Sequence, residues 1–324
     1  MLTRDVSDWY PVGWADQGPG PLEARVDGAR LAVWQTPSGW SALEDRCPHR
    51  NAPLSAGKVS GGRLVCAYHG WAFDGGGRCA WVPSLGRAGK AAWGARHWPT
   101  QVVDGLVFVG VPNRNAPQDV LGAGGHRVRL VRTMEAPLDR VAENILDVPH
   151  TGVLHGGLFR QGRPKHQRVQ VKRGDDRVVV RYPSETPKGL IARLFGRGAV
   201  EHEDEFRLPG CAIVRYRRGH KALVIASWLA PEDEKSTRMF STAVLYGMDR
   251  WAAWLERLVL PVAQRILDQD AWVLRRQTEA IDAFGGPRFI HAHDPMGRHI
   301  ERLRRDRAEG RRSPPFQETV EMSF

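Results

Sequence analysis

The feature that most restricts the fold of this chain is a pair of short segments, "CPHR" and "CAYH", in a region rich in Gly and Pro. The first segment supplies Cys47 and His49, and the second, after sixteen intervening residues, supplies Cys66 and His69. Two thiolates and two neutral imidazoles can bind one structural zinc ion, or they can hold a [2Fe-2S] cluster with both cysteines on one iron and both histidines on the other. Either way, the region is predicted to fold around metal.

The order of the ligands favours the cluster. In a zinc finger with two cysteines and two histidines, the cysteines form one pair and the histidines form the other. Here each segment supplies one of each, so two loops can approach a two-iron cluster from opposite sides and each can give one ligand to each iron. Gly61, Gly62 and Gly70 predict tight loops whose backbone N–H groups donate hydrogen bonds to the sulfur atoms.

Length and composition favour a soluble protein of two domains. A chain of 324 residues is long enough for two domains. The other cysteines, Cys79 and Cys211, are interpreted as core or surface thiols and not as a disulfide framework. The first residues lack the apolar stretch of a signal peptide, and no run of about 18 uncharged apolar residues occurs. We therefore expect a cytoplasmic protein that has no membrane partner.

The formal net charge of +11 comes mostly from scattered arginines, with one dense run, "RHIERLRRDRAEGRR", near the C-terminus. The run contains three acids and no aromatic residue, so it lacks the stacking side chains typical of a nucleic-acid interface. A solvated helix is the favoured interpretation, and a docking face for an acidic protein is the next. No nucleic-acid partner is expected.

The order of predicted elements places a small all-β domain before an α+β domain. Residues 8–112 contain short β-prone runs broken by Gly, Pro, Asp and Ser, and residues 113–125 read as a linker. We place the domains at 1–118 and 119–324. The second domain opens with a helical stretch at about 137–155, continues with strand candidates, and contains a long helical stretch at about 250–284. This order predicts an antiparallel sheet with helices packed on it.

A second group of candidate ligands lies in "DRVAENILDVPHTGVLHGG". Asn144, Asp147 and His150 are spaced three apart, so on a helix they form one slowly rotating stripe. His155 lies about 140° from His150 on an ideal helix. Both imidazoles can therefore reach one metal only if the helix is distorted or ends between them. Pro149 and Gly152 supply such a distortion.

Two converging histidines need a carboxylate to complete a facial triad for non-haem Fe(II). The late helix offers Asp268 and Asp270, which lie about 200° apart and cannot both face inward. Asp270 shares its face with mostly apolar residues, whereas Asp268 shares its face with polar ones. A carboxylate on an apolar face must be paired or bound to metal, so Asp270 is chosen as the third ligand.

The two motifs, "CPHR…CAYHGWAF" and "ENxxDxxHxxxxH", followed by the late Asp, resemble the oxygenase component of Rieske non-haem iron oxygenases over nearly the whole chain. The length and the "QDxxxxxxQ" form are more similar to the branch of dicamba monooxygenase and pheophorbide a oxygenase than to the longer ring-hydroxylating dioxygenases. The resemblance implies a helix-grip catalytic domain and a head-to-tail trimer. It also implies that Asp147 links His69 of a neighbouring subunit to His150, and that Asn144 lies near the iron.

The resemblance further implies a monooxygenase reaction. Electrons from NAD(P)H would pass through a separate reductase, a ferredoxin or both to the [2Fe-2S] cluster, and then to Fe(II) held by His150, His155 and Asp270. Dioxygen would then hydroxylate or oxidatively demethylate a small organic substrate. The chain carries no flavin or nicotinamide fingerprint, so these electron donors are expected to be separate proteins.

Several expectations concern the pocket and its surroundings. The pocket is expected to be lined by the segments 187–200, 211–218 and 222–231. The segment 189–206 is interpreted as a helix and loop near the entrance, with His202 on the surface, and His291 and His293 are assigned to a loop. Two alternatives to the oxygenase remain open, a Rieske electron-transfer protein without oxygenase activity and a zinc-stabilised binding protein.

Overall fold

A computed structural model describes residues 6–155, 166–185, 195–196, 198–247, 252–286 and 295–323. The chain divides into two compact units. The first comprises Met1–Val120 with Ala230–Glu234, and the second comprises Leu121–Leu229 with Lys235–Phe324. Within the described ranges, no helix is both long enough and apolar enough to span a lipid bilayer.

The first unit is built from three small antiparallel sheets, with strand orders β1-β11-β10, β2-β3-β4-β9 and β5-β6-β7-β8. Two single-turn 3-10 helices lie between β8 and β9, at Pro83–Leu85 and Ala91–Trp93. Its strands are β1 (Tyr10–Trp14), β2 (Leu22–Val26), β3 (Ala29–Thr36), β4 (Gly39–Glu44), β5 (Lys58–Ser60), β6 (Arg63–Val65), β7 (Ala72–Phe73), β8 (Cys79–Trp81), β9 (His97–Trp98), β10 (Thr100–Val103) and β11 (Leu106–Val109).

The second unit contains one antiparallel sheet of eight strands, in the order β12-β18-β17-β16-β15-β14-β13-β19. Its strands are β12 (His126–Met134), β13 (His166–Arg173), β14 (Arg177–Glu185), β15 (Val200–Arg207), β16 (Cys211–Arg218), β17 (Lys221–Pro231), β18 (Thr237–Tyr246) and β19 (Phe316–Ser323). The predicted fold class, an all-β domain followed by an antiparallel sheet with helices, is confirmed.

Four helices of the second unit are described: α1 (Leu138–Leu146), α2 (His150–Val153), α3 (Ala252–Phe284) and α4 (Gly297–Ala308). Helix α4 contains most of the basic run, and it is not solvated on all sides. His299, Ile300, Leu303 and Asp306 are buried, and the Asp306 carboxylate accepts hydrogen bonds from Ser313 and from two arginines. The run thus lies mostly on an amphipathic helix that packs by one face.

One face of the large sheet looks toward the long helix α3. Arg132 of β12 forms an ion pair with Asp268 of α3 at 2.7 Å, and the Thr278 hydroxyl of α3 donates to the carbonyl of Glu135 at 2.9 Å. Strand register places Ser241 and Ala243 of β18 on the same face as Arg132, because directly paired residues share a face. We call this the helix face of the sheet.

One expectation from the sequence is wrong. Residues 200–206 form strand β15 and are not part of a helix and loop. The sequence "VEHEDEF" alternates with a period of two, with the apolar residues Val200 and Phe206 on one face, and this period is typical of a strand. The charged residues between them hid that period. The remainder of the segment, 189–199, lies largely outside the described residues.

Burial of β15 predicts a large effect of truncating its last apolar residue. Phe206 is fully buried opposite Val178 and Ala212. Phe206→Ala should lower the free energy of unfolding by about 3–5 kcal/mol because it removes a large apolar side chain and leaves a cavity. The matched variant Phe284→Ala removes a ring that is 89% exposed and should change stability by less than about 0.5 kcal/mol. Urea denaturation followed by circular dichroism measures both, and equal midpoints for the two variants would contradict the assignment.

Candidate metal centres

Two loops of the first unit have the same backbone geometry around their cysteines. In the first, the N–H of Cys47 donates to the carbonyl of Ala52 and the carbonyl of Cys47 accepts from the N–H of Asn51. In the second, Cys66 makes the same two bonds, with Trp71 and Gly70. Each loop is therefore a closed turn that begins at its cysteine and holds its histidine two or three residues later.

The left-handed backbone that closes each turn is supplied by Asn51 (φ 56°) and Gly70 (φ 68°). The expected role of Gly61 and Gly62 is different from their observed one. These two residues form the turn between β5 and β6, outside the cysteine loops, where both have positive φ. Asparagine tolerates the left-handed region almost as glycine does, so the first loop needs no glycine.

The cysteines and histidines of the two loops differ in exposure. Cys47 and Cys66 belong to the apolar core cluster that also contains Trp34, Leu64 and Phe73. The His49 and His69 rings are exposed, with ring centroids 4.6 Å apart. The sulfur side of the candidate site is thus anchored in the core, and the imidazole side faces outward.

The donor set fits a two-iron cluster better than a single ion. A tetrahedral zinc ion with bonds of about 2.0–2.3 Å requires all four donor atoms to lie within about 4 Å of one another. Within the described ranges, the Cys47–His49–Cys66–His69 set does not contain three donor atoms that all lie within 4.8 Å of one another, whereas a group in the second unit does. A group that bridges sulfur on one side and nitrogen on the other fits the wider spacing.

Local groups tune the cluster site. Burial is the main cause that raises the pKa of the Cys47 thiol to about 11, while the backbone N–H groups of His49 and Arg50 act in the opposite direction. A bound metal must therefore displace a proton from this thiol. On the outer side, the Trp71 indole stacks on the His49 ring at 4.7 Å with an angle of 2° between their planes, and Trp93 stacks on Trp71.

The second candidate centre lies where the chain breaks between two helices. Helix α1 ends at Leu146, Asp147 has extended backbone, and α2 runs only from His150 to Val153. The expected stripe of Asn144, Asp147 and His150 on one helix is therefore not observed, because the helix ends before His150. Breaks on both sides of α2 bring His150 and His155 together despite their unfavourable helical spacing.

The three expected ligands converge on one point. His150 Nε2 lies 3.2 Å from His155 Nε2 and 3.6 Å from Asp270 Oδ1, and His155 Nε2 lies 3.2 Å from the same oxygen. Two ligands that bind one ion at about 2.1 Å and at right angles lie about 3 Å apart. Asp268, by contrast, is exposed in its ion pair with Arg132. The spacing matches three neighbouring corners of an octahedron.

Neighbouring side chains orient both imidazoles. His155 Nδ1 donates to Gln269 Oε1 at 3.0 Å, and His150 Nδ1 faces Asp147 Oδ2 at 3.5 Å. Both Nε2 atoms are thereby directed to the shared point. Gln269 is the first residue of the "QDxxxxxxQ" form, but the form does not say what its side chain does.

The electrostatics of the site fit a cation. Asp270 is buried, and its Oδ1 atom has no hydrogen-bond partner of good geometry among the described residues. Burial acts against the Asp270 carboxylate, but the two imidazoles outweigh it and hold its pKa below its ordinary value. Burial also acts against the His150 imidazolium, yet the carboxylates of Asp147 and Asp270 raise the pKa of His150 to about 9. A metal ion at this point would satisfy the orphaned oxygen and replace the proton.

A cavity of about 610 Å³ opens beside this centre. Asn144, Asp147 and His150 line it together with Tyr182 of β14 and Gln277 of α3. Asn144 and Asp147 are thus adjacent to the metal centre and partly exposed, and they are not members of the three-donor group.

His202 is the clearest residue near the site whose position is predicted wrongly from the sequence. Its side chain is buried and not on the surface. The Ser227–Ser241 hydrogen bond between β17 and β18, with the strand register from β17 to β15, places it on the helix face of the sheet. His291 and His293 lie outside the described residues.

Comparison with protein families assigns both units. Residues 8–99 match the Rieske [2Fe-2S] domain, and residues 134–309, more than half of the chain, match the vanillate O-demethylase oxygenase C-terminal domain. The chain belongs to the Rieske oxygenase family. The resemblance indicated by the two motifs is confirmed.

Among its relatives in this family are two oxygenases of different organisms. The chain is 32% identical over 237 residues to the 4beta-methylsterol monooxygenase of Methylococcus capsulatus, covering 67% of this chain and 61% of that protein. It is 34% identical over 171 residues to pheophorbide a oxygenase of Oryza sativa subsp. japonica, covering 45% of this chain and 32% of that protein. The matches thus span 61% and 32% of the length of these two relatives.

Among solved structures, dicamba monooxygenase bound to dicamba has the same fold. The TM-score is 0.81 with 22% sequence identity, and the match covers 95% of this chain and 99% of the other. At this identity the similarity concerns the fold and not the substrate.

The raised pKa of His150 predicts competition between protons and metal in this Rieske oxygenase. The folded pKa of about 9 lies above the ordinary value of 6.5, so metal-free protein holds a proton on His150 at neutral pH. Affinity for Fe(II), measured anaerobically on metal-free protein, should rise about tenfold per pH unit from pH 7 up to about 9 and then level off. Asp147→Asn removes one carboxylate that raises this pKa, so the plateau should begin at lower pH. If Asp147→Asn leaves the pH profile unchanged, the Asp147 carboxylate is not a cause of the raised pKa.

Proposed function

We propose that the protein is the oxygenase component of a Rieske monooxygenase. The observation that carries the proposal is the buried convergence of His150, His155 and Asp270 on one point, in a chain that also carries the Cys47–His49–Cys66–His69 loops. An electron-transfer protein without oxygenase activity has no need to bury such a group, because each buried, unpaired donor destabilises the fold.

In this proposal, Cys47 and Cys66 hold one iron of a [2Fe-2S] cluster and His49 and His69 hold the other. His150, His155 and Asp270 would hold a mononuclear Fe(II). When bound, the cluster would supply electrons and the mononuclear iron would supply the one-electron chemistry that makes dioxygen reactive. The overall reaction joins a C–H bond, O2, two electrons and two protons to give a C–OH group and water.

The residues around the mononuclear site have positioning roles. Gln269 holds the His155 ring so that Nε2 faces the metal, and Asp147 does the same for His150. Asn144 lies on the wall of the adjoining cavity. Burial of His155 and Asp270, which are 2% and 7% exposed, keeps bulk water away from the reacting centre.

Asp147 is also the proposed electron bridge between subunits. Its side chain is 37% exposed although it faces the much less exposed His150, so one carboxylate edge remains open to a second molecule. We assign that edge to His69 of a neighbouring copy in a head-to-tail trimer. The His69 ring is exposed and can accept this contact.

A separate reductase, a ferredoxin or both would deliver electrons from NAD(P)H, and the positive charge of the chain suits an acidic donor.

The substrate in this proposal is an apolar organic molecule. Val214, Tyr216, Ile225 and Ala243 lie on the helix face of the central strands, yet each is only partly buried. These four residues do not line the 610 Å³ cavity beside the metal centre, and we assign them to a separate, apolar part of the substrate site. Two relatives in the family are named for a methylsterol and for pheophorbide a. Oxidation gives hydroxylation, or demethylation where the carbon bears oxygen or nitrogen.

Metal analysis separates the two proposed sites. Anaerobically purified protein should contain three irons and two acid-labile sulfides per chain, with a Rieske-type EPR signal after reduction by dithionite. Asp270→Ala should lose one of the three irons and keep the sulfide and the EPR signal. The matched variant Asp268→Ala, two residues away on the same helix, should keep all three. Zinc without sulfide in the purified protein would refute the proposal in favour of a structural zinc site.

The bridge predicts a variant with metals but without turnover. Asp147→Asn should retain three irons, because Asp147 is not a ligand, and should lower electron transfer from the reduced cluster at least 100-fold, because the hydrogen-bonded path is interrupted. Stopped-flow absorbance of the reduced cluster, mixed with oxygen and 2-naphthol as a trial substrate, measures the rate. Reoxidation at the wild-type rate would refute the role of Asp147.

A further inference from the structure

A second polar group lies on the helix face of the sheet, in the row formed by Tyr182, His202 and Tyr216. These residues are directly paired across β14, β15 and β16, so their side chains stand side by side. The His202 ring is stacked between the two tyrosines, at 4.4 Å and 15° from Tyr182 and at 4.3 Å and 18° from Tyr216. Both faces of the imidazole are therefore covered, and only its edges are available for contact.

One edge of the ring is bound by a neighbour on the same strand. His202 Nε2 lies 2.9 Å from Asp204 Oδ1, and the side chains are 2% and 1% exposed. A carboxylate can only accept, so Nε2 carries the hydrogen and donates it. In the neutral ring this leaves Nδ1 with a lone pair. Asp204 thereby fixes the tautomer, in the way that a carboxylate orients the imidazole of a catalytic dyad.

The other edge of the ring has no hydrogen-bond partner among the residues that the structure describes. His202 Nδ1 is buried, and no described group donates to it. Because Nε2 is bound by Asp204, only the Nδ1 edge is left for a further contact. Val200, two residues before His202 on β15, lies on the same face of the sheet. Val200 belongs to an apolar cluster with Leu223 and Leu245, against which Tyr216, Ile225 and Ala243 pack. A buried ring nitrogen beside an apolar wall is expected to have a partner when its site is filled.

The row also adjoins the metal centre. Tyr182, which covers one face of His202, lines the same cavity as Asp147 and His150. The Tyr182 phenol lies beside the Asp204 carboxylate, and burial together with that carboxylate raises the pKa of Tyr182 well above its ordinary value. The phenol therefore stays protonated and acts as a second donor to Asp204. The polar group reaches from the cavity to the apolar wall.

We propose that His202 is the polar anchor for the substrate, with Nδ1 accepting a hydrogen bond from a hydroxyl group on an otherwise apolar molecule. This proposal rests on the proposed function, since it concerns the substrate of the same centre. His202 is a specificity-determining residue in it, and Asp204, Tyr182 and Tyr216 are positioning residues. An apolar wall with one oriented acceptor selects a hydroxylated ligand over its methyl analogue of equal size.

Two bicyclic probes that differ only in this group test the proposal. 2-Naphthol and 2-methylnaphthalene have nearly the same shape, and only the first can donate a hydrogen bond. Equilibrium dialysis against the iron-loaded protein, kept anaerobic and without reductant, gives both dissociation constants. The wild-type protein should bind 2-naphthol at least tenfold more tightly. Equal affinity, tighter binding of the methyl compound, or failure to bind either probe would overturn the proposal.

Two variants test whether His202 is the cause of the preference for 2-naphthol. His202→Phe keeps a ring between the two tyrosines but removes Nδ1, and the tenfold preference should disappear. The matched variant His299→Phe makes the same change at another buried histidine, bound to Arg173 and Glu318 at the other end of the sheet, and should keep the preference. A folded His202→Phe protein that still prefers 2-naphthol would overturn the assignment.

A second variant guards against misfolding. His202→Phe leaves the buried Asp204 with one donor fewer, so the double variant His202→Phe/Asp204→Leu replaces both partners by apolar groups of similar shape, which is better tolerated. It too should lose the preference, and retention would count against the anchor. The assay requires no turnover. A protein that shows this preference but is purified with zinc and without sulfide would therefore refute the oxygenase function and leave the anchor standing.

Discussion

The most demanding constraint in this chain is the convergence of a buried imidazole, a partly buried imidazole and a buried carboxylate with their donor atoms 3.2–3.6 Å apart. The arrangement leaves Asp270 Oδ1 without a hydrogen-bond partner among the described residues, and the neighbouring carboxylates stabilise an extra proton on His150. The surrounding chain is organised to enforce it. The backbone breaks before and after α2 to aim both histidines, and α3 brings the carboxylate and the Gln269 amide from a distant part of the sequence. The arrangement of the three ligands lowers the stability of the metal-free fold and raises the affinity of the site for a metal ion.

The two cysteine loops of the first unit position their candidate ligands in a different way. Their thiols are buried in the core of the first unit, so those side chains are fixed by packing, while their imidazoles are exposed. Sulfur ligands in an apolar core are protected from exchange and oxidation. Imidazole ligands at the surface shorten the distance that an electron must travel between a cluster and another protein. The division between core and surface within six residues of chain follows from a turn that begins at a buried cysteine and ends at a left-handed residue.

Residues and elements could be predicted from the sequence where the signal was a local spacing or a local periodicity. The prediction failed where the charge of a segment concealed its periodicity. Cys47, His49, Cys66 and His69 could be found because metal ligands need fixed spacing. Strands rich in Val and Ile, such as β16 and β17, could be found because their composition is typical of strands. Asp270 could be chosen over Asp268 from helical periodicity, and the structure does bury the first and expose the second. Gln269 opens the "QDxxxxxxQ" form, but its role could not be read from the form because it depends on contact with a residue 114 positions away.

Strand β15 shows why His202 was placed on the surface. Five charged or titratable residues in succession look like solvent-exposed sequence, yet the strand period of two divides them between faces. On one face, Glu203 and Glu205 pair with Arg181, Arg207 and Arg215. On the other, Asp204 receives the imidazole of His202 and lies beside the phenol of Tyr182. An arginine neutralises the charge of the carboxylate that it pairs with. A neutral imidazole that donates to a carboxylate from one nitrogen still has a hydrogen-bond acceptor on its second nitrogen. Glu203 and Glu205 on one face of β15 are therefore both paired with arginines. On the face turned toward α3, Nδ1 of His202 is available as a hydrogen-bond acceptor.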